Sequence, residues 1–198
     1  MNPRKPRGYT RSYFLGRDIP EVTNYREHRI RADQLACFHW SMHEVSGGLR
    51  RPVHVLDVGA GRGELSAMFA LCGIPVTGVE PHATKLYERT LRSWSKAEPR
   101  VVADVAQVKE PADTVIFCES LEHIPEDVFD AMWERIVPWL NQYQGRLIVA
   151  NWEENHPIEP DGTGWDHVRR VDDALYDRLA EGRSVVFRRG SHLVVDFK

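Results

Sequence analysis

The 198-residue chain has no apolar run long enough to cross a bilayer as a helix. Its longest, such as Val115 to Cys118, fall far short of the roughly 20 residues required, so no membrane partner is expected. Cysteine is scarce: Cys37, Cys72 and Cys118 show no CxxC spacing and include an odd one, which suits small buried packing thiols in a reducing compartment. A strong charge of either sign is also missing. The net charge of -3 and pI of about 6.3 exclude whole-molecule attraction to nucleic acid, though a local basic patch remains open. Repeats and low-complexity tracts are absent. The basic opening residues Arg4, Lys5, Arg7 and Arg11 are not followed by an apolar stretch of signal-peptide type, so a cytoplasmic address is expected.

What is present is the composition of one ordinary globular domain over residues 1–198, with 42% hydrophobic and 28% charged residues. A chain of this length can bury roughly 70% of the surface it would expose unfolded. Strand-like and helix-like segments alternate, which predicts an α/β fold with a doubly wound, mostly parallel sheet covered on both faces. Strands are expected at Val53–Val58, Pro75–Val79, Val101–Asp104, Thr114–Cys118 and Arg146–Ala150. Helices are expected over Gly63–Leu71, Ala83–Trp94 and Glu126–Leu140, the last from apolar Val128, Phe129, Met132, Ile136 and Leu140 at helical spacing. A further helix near Asp172–Leu179 precedes two β-rich runs, Ser184–Phe187 and His192–Phe197, joined by a hairpin turn through Arg188-Arg189-Gly190-Ser191. That ending would close the sheet antiparallel. Residues 1–50 scatter Tyr9, Tyr13, Phe14, Tyr25, Phe38 and Trp40 among charges, with helix expected over Glu27–Val45; they read as an N-terminal cap, either a lid or a cover for one sheet face.

The first strand runs into Gly59-Ala60-Gly61-Arg62-Gly63 and then a helix, an arrangement that brings backbone close to a nucleotide-like ligand. Asp57 sits at the strand end. A carboxylate there would repel a pyrophosphate but suits S-adenosylmethionine (SAM), which carries an ammonium and a sulfonium and no phosphate. Glu64 also stands where the last glycine of a dinucleotide fingerprint belongs. Glu80 ends the second strand about twenty residues after Gly59, the separation at which an acid can accept both hydroxyls of a ribose. Asp104, at the end of the third strand, is placed to accept from an adenine amino group, or simply to cap local structure. With their neighbours Ala60, Gly61, Pro81 and Val105, and with Glu119 after the fourth strand, these residues form the expected cofactor-binding set.

Val55-Leu56-Asp57-Val58-Gly59-Ala60-Gly61-Arg62-Gly63, Glu80 and Ser120-Leu121-Glu122-His123-Ile124 resemble the class I SAM-dependent methyltransferases, and the resemblance covers residues 53–150. Tyr9 to Phe14 is similar to an aromatic opening of small-molecule members, and Trp165-Asp166-His167-Val168-Arg169 to their His-x-Arg segment. The resemblance implies a single Rossmann-like sheet of seven strands with the last antiparallel.

Cys118-Glu119-Ser120-Leu121-Glu122-His123 follows the fourth strand, where methyl transfer would take place. His123 is the leading candidate base and His167 the second catalytic candidate. The Glu-x-x-Glu-His pattern also resembles metal-using branches of the family, in which Glu119, Glu122, His123 and His167, or His156, would hold a divalent ion such as Mg²⁺. Against that reading, Glu122 is equally suited to starting a helix and His123 to orienting the loop. Arg169 and Arg170 suit an acceptor carboxylate or phosphate, and Trp152–Gly164 is expected to wall the acceptor pocket. The expected activity is SAM-dependent O-methylation of a small-molecule hydroxyl. The alternatives are a metal-dependent 2′-O-methyltransferase acting on an RNA 3′ terminus and a non-catalytic SAM-binding regulator. Nothing in the sequence fixes the acceptor or the oligomeric state.

Overall fold

A computed structural model of the protein describes residues 28–43, 50–151, 168–169 and 171–198. Short apolar segments, bounded by glycine, proline or polar residues, form the strands β1 (Val55–Val58), β2 (Val76–Val79), β4 (Thr114–Cys118) and β5 (Arg146–Ala150). Between β2 and β4 lies β3 (Val101–Val102). It stops short of Asp104 because that residue caps a 3₁₀ turn at Val105–Gln107, its Oδ1 accepting from the Ala106 backbone at 2.7 Å. The tail folds back as β6 (Ser184–Arg189) and β7 (His192–Asp196) around Gly190-Ser191, with Gly190 at φ 51°.

These strands form one sheet in the order β3-β2-β1-β4-β5-β7-β6. The first five are mutually parallel, and β7 runs antiparallel to both of its neighbours. This is the expected seven-stranded α/β sheet. Strand order reverses between β1 and β4, so the carboxyl ends of those two strands frame the crevice where open α/β sheets take ligands.

Helices cover both faces. Along β4 the side chains of Val115 and Phe117 enter one core and Ile116 the other, as the two-residue period of a strand requires. The first core is roofed by α4 (Glu126–Gln142), whose buried Phe129, Met132, Trp133, Ile136 and Leu140 recur at helical spacing, and by α5 (Asp173–Ala180). The second lies under α1 (His28–Met42) and α2 (Glu64–Leu71). On the β2 side, α3 (Thr84–Trp94) buries Tyr87 and Leu91. Cys37 and Cys118 fit the expected packing role. Cys72 does not: it is exposed, because α2 ends there and the chain turns away through Gly73 at φ 68°.

The helical part of the expected N-terminal cap is α1, and its buried stripe is polar: Asp33, Cys37 and Ser41, spaced one turn apart. Such a stripe docks only if its polar groups are met. At the far end of the helix the Arg146 guanidinium donates to the carbonyls of Trp40 and His43, while binding Asp196 through Nε–Oδ1 at 2.6 Å and Nη2–Oδ2 at 2.9 Å. At the near end Asp33 Oδ1 lies 3.0 Å from His192 Nε2. Since Arg146 begins β5 and His192 is paired with Ala150 at its other end, α1 runs antiparallel to β5 and carries its first turns to the carboxyl edge of the sheet. The residues before His28, and with them the aromatic opening, lie outside the described residues.

Breaking one partner of a buried, hydrogen-bonded ion pair costs about 3–5 kcal/mol, because the other charge stays buried. Arg146→Leu is therefore expected to lower unfolding stability by about that amount in urea titrations. The double change Arg146→Leu with Asp196→Leu should recover a substantial part of it. Equal losses in the single and double variants would refute the role given to the pair.

Candidate functional site

The turn after β1 is fixed by close packing. Gly59 has φ 73°, and a Cβ placed on it would lie 2.3 Å from Ser120 Cβ, so only glycine fits between the ends of β1 and β4. Ser120 Oγ completes the contact by donating to the Val58 carbonyl at 2.7 Å. The backbone N–H groups of the turn are committed within the protein: those of Gly59 and Ala60 donate to the Val79 carbonyl and that of Gly63 to the Ala60 carbonyl. Gly61 donates to Glu80 Oε2 at 2.8 Å.

A cleft of about 270 Å³ opens at the strand ends. One wall carries Glu80 and Pro81 from the end of β2, a second carries Asp104 and Val105, and a third carries Glu119 and His123 after β4. Val79, Ile124, Val128 and Met132 supply apolar surface between them. Gly59 and Glu119 also border a smaller recess, which continues the cleft past Asp57 and Ala60 toward Cys118 and Gln34 of α1. Of the residues expected to hold the cofactor, only Gly61 does not line these spaces, and it holds the carboxylate of one that does.

The electrostatics are acidic. Asp57, Glu80, Asp104 and Glu119 all face this crevice, and no described lysine or arginine lines it. Asp57 is 2% exposed and accepts from Ser66 Oγ at 2.6 Å. Burial pushes its carboxyl up to about 6, the Ser66 bond opposing, with Glu80 and Glu64 adding to the rise. Burial also raises Glu80, against three backbone N–H bonds from His82, Ala83 and Gly61. Those bonds leave one lone pair of Oε2 open toward the cleft. Glu119 adopts φ 52°, a left-handed conformation rare for a glutamate, while its N–H is held by the Ala150 carbonyl at 2.7 Å. Strain of this kind persists where surrounding structure over-determines it, as at binding sites. The Cys118 thiol is raised by its bond to Cys37 and by burial, so it stays protonated beside these acids.

Such a crevice rejects a pyrophosphate and fits a cationic nucleoside: carboxylates for ammonium and hydroxyl groups, apolar surface for a flat base. Among the described residues no group of three or more His, Cys, Asp or Glu side chains is placed to hold an ion. Glu119 and His123 line the cleft, whereas the Glu122 carboxylate lies behind His123, 3.8 Å from its Nε2 and almost fully buried. Burial lifts Glu122 to about 7, and its Oε2 makes no hydrogen bond among the described residues. His156, His167, Arg170 and the expected acceptor wall Trp152–Gly164 lie outside the described residues. Arg169 does not take the expected position toward an acceptor. Its guanidinium packs 4.6 Å over the Phe129 ring and 4.0 Å from Glu126, directed at α4. Sequence reasoning also missed Gln34 and His82, and it quoted Ser120 only as the first residue of the Ser120–Ile124 motif, without a role of its own.

A family model described as a methyltransferase domain matches residues 25–191. Among solved structures, the fold is similar to an O-methyltransferase family protein from Burkholderia thailandensis, with a TM-score of 0.61 at 12% identity over 97% of this chain and 63% of that one. It is also similar to the N-methyltransferase NodS from Bradyrhizobium japonicum, at 0.56 and 15% identity over 86% and 96%. A third likeness is to a Burkholderia thailandensis 1,6-didemethyltoxoflavin-N1-methyltransferase bound to its substrate and S-adenosylhomocysteine, at 0.56 and 23% identity over 93% and 82%. At these identities the structures speak for the fold. The chain thus spans less than two thirds of the first of them. A search of curated proteins finds no match. No helix among the described residues is long and apolar enough to cross a membrane. With the family model covering most of its length and this sheet order, the chain belongs to the methyltransferase domain family, with the class I SAM-dependent fold.

Proposed function

We propose that the protein binds SAM in the crevice and catalyses methyl transfer to a hydroxyl of a small molecule. The observation that carries this reading is the acidic, cation-free lining of a nucleoside-sized cleft at the strand-order reversal. SAM, when bound, supplies an electrophilic methyl group on a sulfonium. The open lone pair of Glu80 Oε2 accepts from one ribose hydroxyl. Asp104 accepts from the base amino group through the oxygen not committed to Ala106, and Val79, Pro81 and Val105 hold the ring by apolar contact. Asp57 and Glu119 receive the ammonium.

His123 faces the same cleft and takes the proton from the acceptor hydroxyl as the oxygen becomes nucleophilic. Glu122, behind it, stabilises the imidazolium that results. The family fold carries both O- and N-methyltransferases, so the hydroxyl acceptor rests on the presence of a base at this position. No described residue favours the RNA-terminus or the non-catalytic reading.

Binding of a cation beside Asp57 requires the ionised carboxylate. With that carboxyl at about 6 in the free protein, SAM affinity measured by calorimetry is expected to rise as pH increases from about 5 and to level off above about 6.5, with a tenfold change per unit at the acid end. Asp57→Asn should weaken binding by about ten- to a hundredfold at pH 7.5 and flatten that profile. Undiminished SAM uptake by this variant would end the cofactor assignment.

Transfer is tested with methyl-labelled SAM against pools of hydroxylated metabolites and of RNA. For the acceptor so found, His123→Ala is expected to cost about 10²–10⁴ in kcat while leaving SAM affinity within about threefold, and Glu122→Gln to cost less. A His123→Ala enzyme of full activity would exclude a base at this position.

A further inference from the structure

Tyr87 carries a hydroxyl that packing does not call for. Its ring, in the first turn of α3 and wholly buried, fills the space left by two glycines. A Cβ on Gly63 would lie 2.7 Å from Tyr87 Cδ2, and one on Gly78 would lie 2.4 Å from Cε2 and 2.9 Å from the hydroxyl oxygen. A phenylalanine ring would fill the same space. The hydroxyl is nonetheless there, buried and without a hydrogen bond of ordinary geometry, at a desolvation cost that an apolar ring avoids. Burial raises the phenol well above its usual range, so it keeps its proton, and the groups around it are Ser66, Asp57 and Gly78.

Ser66 links that hydroxyl to the recess. Fully buried in the first turn of α2, it donates through Oγ to Asp57 Oδ2 at 2.6 Å, with its backbone N–H directed at the same carboxylate. Oγ keeps two lone pairs, and a tyrosine hydroxyl beside it has a proton to give. The other titratable groups about Asp57 are acids: Glu80 at the end of β2 and Glu64 in α2 disfavour its charge, while Glu119 and the Cys118 thiol border the same recess. Resting on the SAM reading above, we propose that Ser66 and Tyr87 are positioning residues for the cofactor: Tyr87 donates to Ser66, and Ser66 holds Asp57 Oδ2 inside the protein, leaving Oδ1 to face the ligand's ammonium. A hydroxyl that accepts one hydrogen bond donates the next more strongly. The chain thus offsets part of the burial penalty on Asp57 and keeps the carboxylate ionised where the ligand needs it.

The test reads Asp57 both directly and through the ligand. In the ligand-free full chain its carboxyl is titrated by carbon-13 NMR, the signal being assigned by its loss in Asp57→Asn. Ser66→Ala is expected to raise the midpoint from about 6 by about one pH unit, and Tyr87→Phe, which keeps the ring, by less. The double variant should match Ser66→Ala, since Tyr87 acts only through the serine. Calorimetry with S-adenosylhomocysteine, which carries the same ammonium, should follow suit: in Ser66→Ala the affinity falls about fivefold at pH 6 and stays within about twofold of wild type at pH 8.5. An unmoved midpoint in Ser66→Ala, or a double variant whose rise is the sum of the two single ones, overturns the assignment. So does a loss of affinity equal at both pH values, which would mark a merely structural role. Should Ser66→Ala fail to fold, Tyr87→Phe and Ser66→Cys, which keeps a weaker donor, are expected to raise the midpoint in the same direction, and an unmoved midpoint in both overturns the assignment. A wild type that binds no S-adenosylhomocysteine at any pH is a separate result: it ends the cofactor reading, whereas the carboxyl midpoints still decide whether Ser66 and Tyr87 hold Asp57.

Discussion

The site depends on one steric contact, that of Gly59 against Ser120. At the point where strand order reverses, the turn after β1 and the turn after β4 approach until no Cβ fits between them, and the Ser120 hydroxyl locks the approach onto the Val58 carbonyl. Most of what lines the crevice is positioned from these two turns or from their neighbours β2 and β3, with Val128 and Met132 of α4 and Gln34 of α1 completing the wall. The glycines of the loop are therefore needed first for protein packing: Gly63 shows the same thing, its missing side chain leaving room for Tyr87. Access for a ligand's backbone contacts follows from that packing, with most of the N–H groups already spoken for.

A second constraint is electrostatic. Gathering Asp57, Glu80 and Glu119 at one buried edge stores unfavourable free energy in the empty protein. The sign is plain for Asp57: its carboxyl is raised from 3.8 to about 6, so ionisation is disfavoured in the fold and stability falls as pH rises between those values. The size of that effect is on the order of 3 kcal/mol. Glu122 behaves alike, losing stability between about 4.5 and about 7. A domain of ordinary stability tolerates such costs only where other contacts are strong. Here the two-faced apolar core and the Arg146–Asp196 pair are those contacts. A cationic ligand would relieve the repulsion at Asp57, which is how a site can be destabilising when empty and affine when filled.

Much of the fold was legible in the sequence because it is written in local patterns. Strands β4 and β5 have the bounds that their apolar runs predict, and α4 follows from the spacing of Phe129, Met132, Ile136 and Leu140. The tail hairpin follows from Gly190 between two β-rich runs. The crevice was legible too, since Asp57, Glu80 and Asp104 each end a strand or sit just beyond one, and parallel strands bring such ends together. What local pattern could not show is anything settled by a distant partner. The buried stripe of α1 is polar, so no periodicity announces it, and its docking depends on Arg146 and His192, more than a hundred residues away. Arg169 reads as an anion ligand in sequence and is drawn instead to the face of Phe129. Glu122 and His123 are adjacent in the chain, yet only His123 lines the cleft, because the 3₁₀ turn at Leu121–His123 directs neighbouring side chains apart.

The same long-range contacts bear on how the N-terminal region relates to the core. A cap that merely covered a sheet face would dock by apolar surface and could slide by a turn at little cost. Docking of α1 combines apolar packing of Phe38, Trp40 and Met42 on the second core with polar contacts that fix its register. Its end carbonyls are fixed by Arg146 of β5, its Asp33 by His192 of β7 and its Cys37 by Cys118 of β4, three polar contacts that admit one register. A shift of one turn would leave Asp33 and the Arg146 guanidinium without these partners in a buried setting, a penalty of several kcal/mol. Register is thereby tied to the recess: the helix that closes the second core is the helix that presents Gln34 to the strand ends. Helix α1 thus supplies part of the crevice wall through Gln34, and the sheet alone does not complete it.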